Sequence, residues 1–271
     1  KRYGEVVTRL SELSSTFGNN LLDATHAYSV NIIDKSELAG LPDSAIEAAA
    51  ELAKEQDKQG WLFTLDIPSY LPVMMYCSNA KLREQLYRGF VTRASDQGPN
   101  ANEFDNSGIM NELLKLRHEL AQLLGFNNFA EKSIATKMAS STGEVLGFLE
   151  NLAVKSKAQG QQDLNEVKEF AKTEFNQTDL QAWDLPYYSE KLKQSRYAIS
   201  DEECRPYFPE NKVVSGLFEV VNRLFGLQIK EISGIDTWHK DVKFFEVCDR
   251  DNNLRGRFYL DFYARAHKRG G

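Results

Sequence analysis

The sequence predicts a mainly α protein: a multi-helical body with a small antiparallel β-sheet or hairpin near the C-terminal end. Three observations carry that expectation. Apolar residues recur at helical three-and-four spacing through most of the 271 residues. The period shortens to two only after residue 227. Turn-forming residues fall between the periodic stretches rather than inside them.

Residues 1 to about 33 read as one long helix, with Val6, Leu10 and Leu13 on one face. Gly40-Leu41-Pro42 is a loop, and Asp43 or Ser44 starts a second helix rich in alanine. WLFTLD, residues 61–66, is a short apolar run bounded by Gly60 and Pro68, which suits a strand. Two helices over 69–94 break near Asn79, and the polar stretch 95–108 is a loop. A helix over about 107–124 stops at Gly125, and FNNFAEKSIAT starts another. Residues 142–173 form a long helix with Val145, Phe148, Leu149 and Leu152 on its inner face. A further helix follows Pro186. Residues 211–227 carry the clearest apolar stripe: Val213, Val214, Leu217, Val220, Val221, Leu224 and Phe225. The period then changes. VKFFEVCDRDNNLRGRFYLDFYA reads as a hairpin turning at Asp251-Asn252-Asn253, and LQIKEI, residues 227–232, adds a third strand. Two regions follow from this layout, a helical one over 1–226 and a sheet-bearing one over 227–271.

The charge balance, 33 basic against 39 acidic side chains, gives a net −6. That disfavours nucleic acid as a partner, since a phosphate backbone asks for a basic face. No apolar run approaches the roughly 20 residues a membrane span needs, so no membrane partner is expected. Cys77, Cys204 and Cys248 are odd in number and far apart, which suits a reducing compartment. The opening KRYGEVVTRLSEL has no initiating Met and begins inside a helical pattern, and FYLDFYARAHKRGG ends abruptly. Both ends read as cut, and the chain is expected to be an excised portion of a longer protein.

RHELAQ, residues 117–122, invites a metal reading, because a zinc peptidase helix carries His-Glu-x-x-His. Zinc binding needs two imidazoles one turn apart plus a third ligand. Gln122 stands where the second would be, and His26, His118, His239 and His267 are widely separated. The stretch reads as an ordinary amphipathic helix. DRDNNLRG, residues 249–256, faintly resembles a calcium loop, but Leu254 replaces the required glycine and Leu260 the closing glutamate, so a hairpin turn is expected. Asn176-Gln177-Thr178 is a glycosylation sequon without a visible secretory signal. Lys268-Arg269-Gly270-Gly271 is a single basic-glycine copy in an acidic chain and reads as a loop. There is no phosphate loop, no nucleophile elbow and no Cys–His pair. Composition and spacing alone therefore give a helical protein with no self-contained catalytic or metal site.

Several stretches taken together carry a resemblance. They are RASDQGPNANEFDNS, LRHELAQLLGFNNFAEKSIATKMA, AWDLPYYSEKLKQ, RPYFPENKVVSGLFEVV and FYLDFYARAHKRGG. In order and spacing these resemble the thimet oligopeptidase family of zinc metallopeptidases, in its oligopeptidase A branch. The resemblance runs over essentially the whole chain. It implies a helical, clam-like body with a deep channel. It also implies metal-assisted hydrolysis of short unstructured peptides, such as signal-peptide and protein-breakdown fragments, by a cytoplasmic, monomeric full-length enzyme. In that family the zinc motif follows the FYLD…KRGG region. The resemblance thus implies zinc in the longer protein, none held by these 271 residues, and no activity from them alone. It places the closing sheet near the cleft, and the alternation along the last strand then makes Tyr259, Tyr263 and Arg265 candidate cleft residues, with Phe258, Leu260 and Phe262 facing the core. The other reading is that these tyrosines pack against neighbouring helices. The alternative function is a non-catalytic helical module that binds peptide or protein. As a portion of a larger body, the chain is expected to expose apolar patches and to self-associate.

Overall fold

A computed structural model describes residues 1–263, 265 and 268. The chain is mainly α, with two small antiparallel sheets, and forms two compact units: Lys1–Arg196 and a second beginning at Tyr197.

The first unit opens with α1 (Arg2–Ala27). Its helix ends six residues earlier than the periodicity suggests, because β1 (Ser29–Ile32) leaves it to pair with β2 (Trp61–Thr64), in the register Ser29↔Thr64 to Ile32↔Trp61. Val30, Ile32 and Ile33 are β-branched and suit a strand once a partner edge exists. Gly60 makes the return possible. Its φ is +84°, and a Cβ there would lie 2.1 Å from the carbonyl oxygen of Ile32.

Between the strands lies α2 (Asp43–Glu55), and after them come α3 (Ile67–Tyr76) and α4 (Ala80–Val91). The break at Asn79 has a cause. Its side chain accepts hydrogen bonds from the backbone N–H of Lys81 and Leu82, capping α4. Leu38, Phe63, Leu65, Val73, Leu82 and Leu86 close the core here. An ion pair is sealed beside it. Arg83 donates to Asp184 Oδ1 at 2.5 Å and to the Cys77 carbonyl at 2.6 Å, and its guanidinium lies 4.3 Å from the centre of the Tyr187 ring.

Helix α5 (Ser107–Leu123) runs antiparallel to α1: Arg2 pairs with Glu119, Arg9 with Glu112, and Asn20 with Asn106. Gly125, at φ +82°, ends that segment. Asn128 then caps α6 (Phe129–Ile134), and Ser141 caps α7 (Thr142–Phe175), whose last turn closes on Asn176 in the left-handed region. The C-terminal part of α7 packs through Ala171 on Tyr187 and Tyr188 of α8 (Leu185–Tyr197). Its N-terminal half does not have the buried inner face expected of it: Phe148 is 62% exposed and Leu149 52%. The helical period is right, but among the described residues only Val145 of the stripe is half-buried.

In the second unit, α9 (Asp201–Cys204) precedes α10 (Glu210–Phe225), and then come β3 (Gln228–Glu231), β4 (Lys243–Cys248) and β5 (Leu254–Leu260) in the order β3-β4-β5. The three-stranded sheet follows the expected hairpin and third strand. A bulge at Val247/Cys248 opens the register next to the turn. Helix α10 lays Phe218 edge-on against Phe245 and Phe258. Its seven-residue stripe divides in two. Val214 and Val221 are half-buried, whereas Val213, Leu217, Val220, Leu224 and Phe225 point to solvent.

Candidate functional site

The candidate cleft residues lie on and after β5. Alternation along the strand puts Phe258 and Leu260 half-buried, with Phe258 stacked on Phe245, and turns Tyr259 to the other face. Phe262, expected in the core, is exposed. Strand geometry ends at Leu260, so the alternation loses its hold there.

Tyr259 sits between Phe244 and Trp238, with ring centres 4.8 and 5.0 Å away. The Tyr263 hydroxyl donates to Glu210 Oε2, and that carboxylate holds the phenol above its usual range. Lys243 approaches the same carboxylate at 3.8 Å. Arg265 donates from both Nη atoms to Asp261, at 2.6 and 2.8 Å. Asp261 also accepts the Trp238 indole N–H at 3.0 Å and lies 3.3 Å from Lys268 Nζ. The Arg265 hydrogen bonds, with Trp238 and Lys268 helping and burial opposing, hold the Asp261 carboxyl far below the usual carboxylate range. Beside this network a cavity of about 390 Å³ is lined by Ser233, Gly234, Thr237, Lys240, Lys243 and Tyr263. The three candidates thus share one unit, each with its own partner. Trp238, Glu210 and Asp261 complete the arrangement and were not singled out from sequence. One signal could have found Asp261: it shares the parity of Tyr259 and Tyr263 and stands four residues before Arg265.

The RHELAQ helix is occupied with structure. Its Glu119 carboxylate pairs with Arg2, and Gln122 Nε2 donates to the Asn127 carbonyl at 2.8 Å, bracing the turn after α5. His118 is exposed. Among the described residues, no three His, Cys, Asp or Glu side chains group as a metal site would need. The DRDNNLRG stretch is a hairpin turn: Asp249 accepts from the backbone N–H of Asp251 and Asn253 and from Arg255 Nε. His267 and the Arg269-Gly270-Gly271 part of the basic tail lie outside the described residues. Among the described residues, no helix is long and apolar enough to cross a membrane.

The model of peptidase family M3 matches residues 73–271. The chain belongs to peptidase family M3. Over all 271 residues it is 58% identical to proteins named oligopeptidase A from Salmonella typhimurium (strain LT2) and Escherichia coli (strain K12). It is 39% identical, over its whole length, to the organellar oligopeptidase A of Arabidopsis thaliana, of which it covers 35%. The chain spans about 40% of the length of the two bacterial relatives.

Proposed function

We propose that this chain is the non-zinc-binding portion of a cytoplasmic zinc metallo-oligopeptidase whose full-length form hydrolyses short, unstructured peptides, and that the 271 residues alone are inactive. The observation that carries this reading is the 58% identity along the whole chain to proteins named oligopeptidase A, 40% of whose length it covers. The metal chemistry belongs to the part of the longer protein these residues do not supply.

This chain contributes a surface. The exposed Tyr259 ring, backed by Phe244 and Trp238, offers an apolar face to a peptide side chain. The Tyr263 hydroxyl is oriented by Glu210. Arg265 has its charge met by Asp261, so it serves by position rather than as an unpaired anion receptor. Signal-peptide and protein-breakdown fragments suit this role as flexible chains. The net charge of −6 disfavours nucleic acid. The longer protein is monomeric in this reading, and the exposed stripes on α7 and α10 support self-association of the isolated chain.

The test is a graft. These 271 residues replace the matching segment of the Salmonella typhimurium oligopeptidase A, and hydrolysis of a quenched fluorescent peptide is followed with zinc supplied. The chimera hydrolyses and the chain alone does not. A folded but inert chimera, or cleavage by the chain alone, overturns the reading.

A further inference from the structure

The loop between β3 and β4 and the segment after β5 are far apart in sequence, yet both end on one carboxylate. Asp261 takes the indole N–H of Trp238 from the loop, and from the other side both Nη atoms of Arg265 and the ammonium of Lys268. Lys268 also donates to the backbone carbonyls of Asp261 and Tyr263, at 2.7 and 3.0 Å. The Trp238 ring is 61% exposed, so apolar burial does little to hold it. Among the described residues, its ring meets Tyr259 and its indole N–H bonds Asp261. The same loop supplies Thr237 and Lys240 to the cavity, and Tyr263 lines it from the other segment.

We propose that Asp261 is a positioning residue, a latch that holds the Trp238 loop and the Arg265 segment in one arrangement and so fixes Tyr259 and the cavity walls. Charge-assisted bonds from a guanidinium to a carboxylate are strong and directional, and Asp261 makes them while also accepting a neutral donor. Asp241, also in the loop, acts on Arg265 through space, whereas Asp261 is hydrogen-bonded directly to both sides. The inference concerns the chain itself and does not depend on the peptidase reading.

The test is Asp261→Asn in the 271-residue chain. Trp238 emission is isolated by subtracting the Trp238→Phe version of each protein, and acrylamide quenching and tryptic cleavage after Lys240 are followed. The latch predicts a red-shifted Trp238 emission, stronger quenching and cleavage after Lys240 at least several-fold faster. Far-UV circular dichroism and cleavage within the first unit stay unchanged. Asp261→Glu restores part of the Trp238 signal, which a purely packing role would not do. If Asp261→Asn fails to fold, Arg265→Gln with Lys268→Gln keeps the carboxylate, removes its cations and gives the same loosening. Unchanged Trp238 emission, quenching and Lys240 cleavage in whichever of these variants folds overturn the proposal.

Discussion

The core around β1 and β2 and the outer face of α10 are written in the same code and end in opposite states. In the first, Phe63, Leu82 and Leu86 are all but fully buried. In the second, Leu217 and Leu224 are 56% and 69% exposed, although their spacing is as regular as any in the chain. Periodicity determines which side of an element is apolar. Whether that side is covered depends on what packs against it, and that partner need not be nearby in sequence. Phe218 of α10 meets the sheet, whereas the outer positions stay largely open among the described residues.

The comparison breaks most sharply at the buried ion pair. Asp184→Ala leaves Arg83 buried without its carboxylate and is expected to cost about 3–5 kcal/mol in urea unfolding. Replacing both partners with apolar residues recovers most of that loss, because the desolvation of the stranded charge is then gone. Next comes the contrast itself. Leu86→Ala removes a fully buried side chain and is expected to cost about 2–5 kcal/mol. Leu217→Ala on the open face of the dilute, monomeric chain stays within about 0.5 kcal/mol. Equal losses at the two positions would mean that the α10 face is covered in solution, by a second copy for example, and repeating the melts at several protein concentrations shows it. A smaller effect belongs to the α4 cap: Asn79→Ala is expected to cost about 1 kcal/mol.

The smallest effect is in the hairpin turn. Backbone and side-chain hydrogen bonds from Asn253, with Arg255 assisting, hold the Asp249 carboxyl below its usual range. A depressed folded-state value adds stability above the ordinary aspartate range, and that stability is lost as the pH falls through the folded value. Amide protection in the β4–β5 turn, taken relative to the intrinsic exchange rate at each pH, therefore falls on acidification below about pH 4. In Asp249→Asn that pH dependence flattens. A turn whose protection is unchanged across that pH range in the native protein would mean the carboxylate does not hold it.

Much of the fold was legible because its signals are local. The Asn79 break, the stop at Gly125 and the strand, turn and strand of the hairpin each sit within a few residues of their cause. The end of α1 was not legible. Residues 29–32 continue an acceptable helix until Trp61–Thr64 supplies an edge to pair with, and that edge lies about thirty residues on. The exposure of Phe148 and Leu149 was not legible either, since burial is a property of neighbours. At the candidate site, the turning of Tyr259 away from the Phe258 face followed from strand alternation. The roles of Trp238 and Asp261 did not, because an isolated tryptophan in a polar loop gives no spacing to read. The His-Glu pair at 118–119 shows the reverse case: a familiar pair of letters whose glutamate is engaged by Arg2 from another helix.

The most direct test of whether these residues hold zinc is the metal content of the purified 271-residue chain after equilibration with excess zinc and gel filtration, beside an intact oligopeptidase A prepared in the same way. About one zinc per molecule is expected for the intact enzyme and no stoichiometric zinc for this chain. One zinc per chain, lost in His118→Ala, would contradict it.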